Sequence, residues 1–230
     1  MRFRKLIGSL LRKPIKRLLA LPADKKDEML RVAFPAVTSW HVEGDYFEFG
    51  VYEGRAMIHA YKAASRCKRP TKFFAFDSFE GLPYSNETGN KFQKSQYSCT
   101  EERFCNNLRQ AGVDLSLVKS TKGFFDQSLT TELQNELAAH KAAIVWIDCD
   151  LYDSTVPVLN FILPFLQNGT ILCFDDWFSF GADPNKGEIR ATHEWLARNS
   201  HVRLTHYRDF GLSGRSFIVT LNVSQHSKII

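Results

Sequence analysis

Five aspartates follow two short apolar segments of the chain. Three come after the segment 144–147 and two after the segment 171–174; they are Asp148, Asp150, Asp153, Asp175 and Asp176. Carboxylates held close together repel one another, so such a group is expected to contain a cation. Because oxygen ligands suit hard ions, Mg²⁺ or a similar divalent cation is the expected occupant. Helix capping is the alternative role for such acids, and it accounts for Asp153 but not for the other four.

A glycine-containing segment follows an apolar run earlier in the chain. Its sequence, Glu48-Phe49-Gly50-Val51-Tyr52-Glu53-Gly54, lacks the Gly-x-Gly-x-x-Gly spacing of dinucleotide-binding loops. Gly50 and Gly54 allow the backbone to approach a ligand and to begin the next helix. Glu48 adds a negative charge, which suits a ligand with an ammonium group such as an amino acid. Glycine-rich turns between a strand and a helix are common, so this segment alone is a weak signal.

Asp77 ends a second apolar run and is followed by Ser78. A carboxylate at this position can accept hydrogen bonds from both hydroxyl groups of a ribose, and capping of the next segment is its alternative role. Together with Glu48 and Gly50, Asp77 predicts a site for a ribose-containing ligand, which Ser78 also borders. Ser78 does not fit a catalytic nucleophile, because the Gly-x-Ser-x-Gly pattern is absent. Phe124, further along the chain, could flank a purine or belong to the core.

These residues are distributed over an alternation of strand-like and helix-like segments. The predicted strands are Tyr46–Val51, Lys72–Asp77, Leu115–Lys119, Ala143–Asp148 and Thr170–Asp175, and the predicted helices lie near 54–67, 101–111, 126–140, 155–167 and 187–199. Nearly continuous apolar runs indicate strands buried on both faces, and the alternation indicates an α/β fold with a parallel sheet. In such a sheet, ligands bind at the carboxyl ends of the strands, where the residues above are expected to lie.

The last part of the chain predicts a different connection. Two runs, Leu204–Tyr207 and Ser216–Leu221, follow each other without an intervening helix, and the segment 211–214 contains two glycines. Such a pattern is typical of a β-hairpin, so the sheet should end with an antiparallel strand.

Residues 82–100 form a long polar stretch without periodicity. A loop of this length in a compact domain is usually an active-site lid or a disordered insertion. Its place directly after the second predicted strand, beside the expected ligand, favours a lid.

Charge is unevenly distributed along the 230 residues. The formal net charge is +5, but seven lysines and arginines lie at positions 2–17, before the first acid, Asp24. The remainder is therefore not basic, which argues against a nucleic-acid groove. We divide the chain into a basic N-terminal arm, residues 1–36, and a single α/β domain, residues 37–230.

The arm has apolar residues at helical spacing at positions 3, 6, 7, 10 and 11. It could lie on a membrane surface or contact another subunit, or it could pack on its own domain. Because it precedes every motif, we expect it to be dispensable for catalysis. The five cysteines form no Cys-x-x-Cys pair, which indicates a reducing cytoplasm. We also expect a homo-oligomer.

The chain resembles the macrocin O-methyltransferase (TylF-type) family of class I methyltransferases. The matching segments are GDYFEFGVYEG at 44–54, FAFDSFEGLP at 74–83, GFFDQSL at 123–129, IDCDLYDST at 147–155 and FDDW at 174–177. The resemblance implies a Rossmann-like fold with a mostly parallel seven-stranded sheet and an antiparallel C-terminal strand. It also implies S-adenosylmethionine (SAM) as methyl donor, dependence on Mg²⁺, and a hydroxyl of a sugar on a natural product as acceptor.

The resemblance also assigns roles to individual residues. It implies that Asp148, Asp175 and Asp176 bind the metal and that Asp150 is the general base. The expected SAM contacts are Glu48, Gly50, Gly54, Asp77, Ser78 and Phe124.

Two functions other than an O-methyltransferase predict different residues in the sequence. A metal-dependent glycosyltransferase also places Asp-x-Asp after a strand, but it does not predict Glu48 with Gly50 or the pair Asp175 and Asp176. A non-catalytic SAM-binding scaffold is suggested only by the basic arm, and such a protein has no need to keep the acids.

Overall fold

The computed structural model describes residues 24–85 and 92–222. The basic residues at positions 2–17 lie outside this range, as does part of the expected lid. The elements are α1 (Lys25–Ser39), β1 (Asp45–Phe49), α2 (Arg55–Arg66), β2 (Phe73–Asp77), α3 (Glu101–Gln110), β3 (Val118–Lys122), α4 (Phe125–Ser128), α5 (Thr131–Glu136), β4 (Ala142–Ile147), α6 (Tyr152–Ile162), β5 (Ile171–Phe174), α7 (Gly187–Arg198), β6 (Val202–Phe210) and β7 (Gly214–Leu221).

The seven strands form one sheet in the order β3-β2-β1-β4-β5-β7-β6. The first five strands are parallel, whereas β7 runs antiparallel to both β5 and β6. The predicted α/β class, the mostly parallel seven-stranded sheet and the C-terminal hairpin are therefore confirmed. The chain leaves β1 towards β2 and β3 and then returns to place β4 on the other side of β1. This reversal opens a crevice at the carboxyl ends of β1 and β4.

Two predicted elements differ from the structure because polar side chains interrupt them. The third strand begins at Val118 rather than at Leu115, since the Asp114 carboxylate accepts a hydrogen bond from Ser116 N at 2.9 Å and caps a 3₁₀ turn over Leu115–Leu117. The predicted helix near 126–140 is two short helices, because Thr130 caps the second one through Leu133 N at 3.2 Å.

The central strands β1, β2, β4 and β5 are buried on both faces, as their apolar runs predicted. Alternate residues of β1 point to opposite sides. Tyr46 packs near Phe34 of α1, with ring centroids 6.1 Å apart, whereas Phe49 stacks on Phe76 of β2 at 4.5 Å on the other face. Two separate apolar clusters result, one below α1, α2 and α3 and one below α6 and α7. This double packing fixes the strand ends that carry the site.

Helix α1 alters the expected division of the chain, because the boundary after residue 36 falls inside it. Met29, Leu30, Ala33 and Phe34 are buried in the cluster below α1 and α2. The part of the arm from Asp24 onward is thus integral to the domain. Among the helices in the described ranges, none is long and apolar enough to cross a bilayer.

Candidate active site

A cavity of about 470 Å³ lies at the carboxyl ends of β1, β2, β4 and β5. Its lining includes most of the residues that the sequence singled out: Gly50, Asp77, Ser78, Phe124, Asp148, Asp150, Asp175 and Asp176. Glu48 and Gly54 are not among the lining residues. Parallel strands that end together explain how residues distant in sequence reach one cavity.

Gly50 brings two strands into backbone contact at the floor of the cavity. Its φ is +85°, and a Cβ atom there would lie 2.0 Å from the carbonyl oxygen of Asp148. Only glycine combines this conformation with this approach. Gly54 has the same φ, but a Cβ there would meet Phe104 and Leu108 of α3. Gly54 therefore serves the start of α2 and its packing on α3.

Asp77 links the loops that follow β1 and β2. One carboxylate oxygen, Oδ2, accepts hydrogen bonds from Val51 N at 2.7 Å and Tyr52 N at 3.1 Å. The other, Oδ1, accepts one from Phe79 N at 2.7 Å. A carboxylate oxygen can accept two hydrogen bonds, so Oδ1 retains acceptor capacity toward the cavity. The capping role and the ligand role weighed for Asp77 are therefore compatible.

Glu48 is fully enclosed beneath the cavity. It is 1% exposed, and its Oε2 accepts a hydrogen bond from the Tyr46 hydroxyl at 2.8 Å. Burial raises the pKa of Glu48 to about 8, against the lowering effects of Lys26 and the Tyr46 hydrogen bond. The Glu48 side chain thus interacts electrostatically with Lys26, a residue that lies outside the sequence motifs.

Three carboxylates converge at the ends of β4 and β5. Asp148, Asp150 and Asp176 each offer an oxygen, and these oxygens lie within 4.8 Å of one another. We call these three residues the acid triad. Desolvation raises the pKa of all three, and Asp150 also forms a hydrogen bond with Asp176 that raises its pKa further. Such a group lowers its repulsion by sharing a proton or by binding a cation.

The Asp150 side chain is directed into the cavity by a strained turn. Its φ is +59°, in the left-handed region, and Leu151 N donates a hydrogen bond across it to Cys149 O at 2.6 Å. Aspartate and asparagine tolerate this conformation better than most residues. The surrounding segment enters α6 directly, which fixes the turn.

Asp175 is not part of the acid triad and forms ion pairs with two lysines. Lys25 Nζ is 2.9 Å from Asp175 Oδ2, and Lys26 Nζ is 3.6 Å from the same atom. Lys26 also forms an ion pair with Asp148. Desolvation raises the pKa of Asp175 to about 6, although both lysines oppose it. The second oxygen, Oδ1, is buried without a hydrogen-bond partner in the described structure.

Glu188, at the start of α7, is buried next to the acid triad and contacts the backbone of Asp176. It is 1% exposed, and its Oε2 accepts a hydrogen bond from Asp176 N at 3.1 Å. Burial raises the pKa of Glu188 well above its usual value, with Asp176 adding to the shift, so the neutral acid is favoured. Its hydrogen bond fixes the backbone of the Asp175–Asp176 pair.

Several residues at the site were not singled out from the sequence. Lys25 and Lys26 belong to the segment first assigned to the arm, and the signal available was the N-cap Asp24 that precedes them. Tyr97 of the lid segment packs edge-on against Tyr52, with ring centroids 5.9 Å apart at the cavity mouth. No regular spacing marks Tyr97, because it lies in a loop.

A family model described as macrocin O-methyltransferase (TylF) matches residues 21–196. The chain belongs to this family. The match includes α1 as well as the acid triad, in agreement with a domain that begins before residue 36. It confirms the resemblance inferred from the motifs.

Two curated relatives are O-methyltransferases of Streptomyces species. Demethyldecarbamoylnovobiocin O-methyltransferase of Streptomyces niveus is 28% identical over 163 residues. A tetracenomycin-C 4'-O-methyltransferase of Streptomyces olivaceus, whose full name specifies a dimethoxy-rhamnosyl substrate, is 25% identical over 167 residues. Each alignment covers 66% of this chain and 60% of the relative. The chain therefore spans about 60% of the length of these relatives.

Solved structures confirm the fold. The calicheamicin methyltransferase CalS11 superposes with a TM-score of 0.68 at 20% identity, covering 84% of this chain and 77% of that one. Other solved methyltransferases of similar fold contain SAM or S-adenosylhomocysteine.

Proposed function

We propose that the protein is a SAM-dependent O-methyltransferase that acts on a hydroxyl group of a sugar-containing small molecule and uses a divalent metal ion. The observation that carries this proposal is the convergence of Asp77 with the acid triad in one cavity. Asp77 suits the ribose of SAM, and the acids suit a metal and a proton acceptor. Family membership and the two curated relatives support methyl transfer to oxygen.

SAM would occupy the part of the cavity between β1 and β2. Asp77 would accept hydrogen bonds from the ribose, Gly50 and Ser78 would border the methionine and nucleoside parts, and Phe124 would cover the adenine. Glu48 does not line the cavity, so it would support the SAM site through its contacts beneath the lining rather than by touching the cofactor. Gly54 would contribute by starting α2 rather than by touching the cofactor.

The acids fit a hard divalent cation. Carboxylate oxygens are the ligands that Mg²⁺ prefers, and the unpartnered Oδ1 of Asp175 is a buried acceptor that lacks a donor. We assign Asp148, Asp175 and Asp176 as the residues that would hold the ion, with Asp150 outside the ligand set. When bound, such an ion would lower the pKa of an acceptor hydroxyl.

The side chains of the protein would then perform two tasks. Asp150 would accept the hydroxyl proton as general base, which is why its carboxylate must face the cavity. Glu188 would hold Asp176 in place through the backbone. Alignment of the acceptor oxygen with the donor methyl supplies much of the rate, since well-oriented reactants can gain on the order of 7–11 kcal/mol.

The cavity mouth favours a sugar-bearing acceptor. Tyr52, Tyr84 and Tyr97 border it, and each is substantially exposed. Aromatic faces with polar edges suit a ligand that presents both apolar and hydroxyl-rich surfaces. The substrate named for the Streptomyces olivaceus relative is of this kind.

Cytoplasmic location and homo-oligomerisation remain predictions from the sequence.

Binding and turnover measurements test the proposal. Calorimetry in chelator should detect SAM binding, and transfer of labelled methyl groups to glycosylated acceptors should require added Mg²⁺. A nucleotide-sugar that binds in place of SAM would instead indicate a glycosyltransferase. Full turnover in chelator would contradict the metal requirement while leaving the methyltransferase activity intact.

A further inference from the structure

Lys26 places an ammonium group inside the group of acids. Its Nζ forms an ion pair with Asp148 Oδ2 and lies 3.6 Å from Asp175 Oδ2. The side chain is 19% exposed, and Nζ lies 5.9 Å from the centroid of the Trp146 ring. The Lys26 ammonium therefore already contacts two of the acids that are assigned to the metal, Asp148 of the acid triad and Asp175.

The position of Lys26 is fixed by a network on the first turn of α1. The Asp24 carboxylate accepts a hydrogen bond from Lys26 N at 3.0 Å. It also forms an ion pair with Arg55, whose Nε lies 2.9 Å away. His59 bridges the first turn as well, at 3.2 Å from Asp24 and 3.1 Å from Asp27. Arg55 and His59 belong to α2, so the Lys26 ammonium is presented by a helix docked on the domain.

Lys25 differs from Lys26 in what it touches. Its Nζ lies 2.9 Å from Asp175 Oδ2 and 3.3 Å from Ser213 Oγ, and its side chain is 32% exposed. Within the described residues, Lys25 pairs with Asp175 and forms no ion pair or hydrogen bond with the acid triad. Of the two lysines, Lys26 is the one that joins Asp175 to Asp148.

We propose that Lys26 is a tethered counter-ion that competes with the divalent metal for Asp148, so that the metal binds by displacing the ammonium. This inference rests on the proposed function, because it assumes that the acids hold a metal. It explains how four neighbouring carboxylates coexist when no metal is bound, since two ammonium groups offset part of their negative charge.

Competition predicts in which direction the metal affinity changes when the Lys26 ammonium is removed. An ammonium and a divalent ion that share Asp148 repel each other and require the same oxygen atoms, so removal of the ammonium should strengthen metal binding. A purely structural role predicts the opposite, because loss of the lysine would then disorder the acids and weaken binding.

The experiment compares Lys26→Met, Lys26→Arg and Lys25→Met with the parent protein. Titration calorimetry with Mg²⁺, and with Mn²⁺ as a second probe, should give at least tenfold tighter binding to Lys26→Met. Lys26→Arg keeps the charge and should stay within threefold of the parent, and Lys25→Met should give a smaller gain than Lys26→Met. Lys62→Met, on the exposed face of α2, removes one charge at a distance and should leave the affinity unchanged.

A folding readout accompanies the titration, because Lys26→Met leaves Asp148 and Asp175 with one ammonium fewer. Added Mg²⁺ should raise the unfolding temperature of Lys26→Met by more than it raises that of the parent, even if the metal-free variant is destabilised. Equal or weaker metal binding by Lys26→Met, with an unchanged metal-induced shift, would overturn the proposal. Methyl transfer by the parent with Mg²⁺ would in that case still support the proposed function, so the two failures are distinguishable.

Discussion

Asp150 is the side chain on which the proposed proton transfer depends, and its left-handed backbone makes a clean test possible. Asparagine tolerates a φ of +59° and preserves the shape of the side chain. We expect Asp150→Asn to lower kcat by roughly 10²–10⁴-fold, the usual contribution of a general base, with little change in metal or SAM affinity. Asp175→Asn should instead weaken metal binding as well as turnover. Metal titration and initial rates measured on both variants check this assignment.

The result that would contradict this assignment is specific. Asp150 belongs to the acid triad whereas Asp175 does not, so an Asp150→Asn enzyme that loses the metal would make Asp150 a ligand. An Asp150→Asn enzyme as fast as the parent would remove it from the mechanism altogether.

Asp77 is expected to contribute to SAM affinity through its remaining acceptor capacity. Asp77→Ala should weaken SAM binding by about 1–3 kcal/mol, the scale of hydrogen bonds to a charged group. The same change frees Val51 N and Phe79 N, so Asp77→Asn serves as a control that keeps one acceptor oxygen. Calorimetry gives the affinities, and circular dichroism reports whether the fold is retained. Unchanged SAM affinity in folded Asp77→Ala would show that the ribose lies elsewhere.

Among the site residues, those that directly follow a strand could be predicted from the sequence. Those that reach the cavity from other elements could not. Asp77 and Asp148 come directly after apolar runs, so their position at the edge of a parallel sheet follows from the pattern. Lys26 reaches the same place from a helix that precedes the first strand, and Glu188 reaches it from beneath. Such tertiary contacts leave no local periodicity.

Among the elements, α1 carries both packing and charge, so its removal should affect the whole domain. A chain that starts at Asp24 should keep the free energy of unfolding of the parent, whereas one that starts at Ala36 should lose cooperative unfolding. Phe34 is 1% exposed, and Phe34→Ala should lower the free energy of unfolding by about 3–5 kcal/mol. Denaturant titration followed by circular dichroism measures all three. A stable, active chain starting at Ala36 would return α1 to the status of a dispensable arm.

The elements themselves were largely predictable because most strands are buried on both faces and therefore read as continuous apolar runs. One exception, β3, lies at an edge of the sheet and has the sequence Val-Lys-Ser-Thr-Lys, so its apolar signal came from the 3₁₀ turn before it. The start of α1 was obscured by the basic segment that precedes it. Local propensity therefore located the core elements better than the peripheral ones.

For the molecule as a whole, Glu48 should make stability depend on pH. Its pKa is about 8 in the folded protein against 4.5 in an exposed chain, because burial disfavours the charged form. Between these values the unfolded chain gives up the proton and the folded protein keeps it, so stability falls as the pH rises from about 4.5 to about 8. Glu48→Gln removes this titration and keeps an acceptor for the Tyr46 hydroxyl. The advantage of Glu48→Gln over the parent should therefore grow between pH 5 and pH 8.

Thermal unfolding across this pH range measures the effect. Glu102→Gln, on an exposed position of α3, is the matched control and should follow the parent at every pH. An advantage of Glu48→Gln that is independent of pH would mean that Glu48 is ionised in the folded protein throughout the range.

The close contact at Gly50 joins the two halves of the cavity. Gly50 N donates to Phe76 O and Asp148 N donates to Phe49 O, each at 2.9 Å, so β1, β2 and β4 are joined at the point where donor and acceptor would meet. Within the described residues, backbone hydrogen bonds thus connect the cofactor side of the cavity directly to the acid side. In the proposed reaction, the sheet itself would then fix how closely the methyl group approaches the acceptor oxygen.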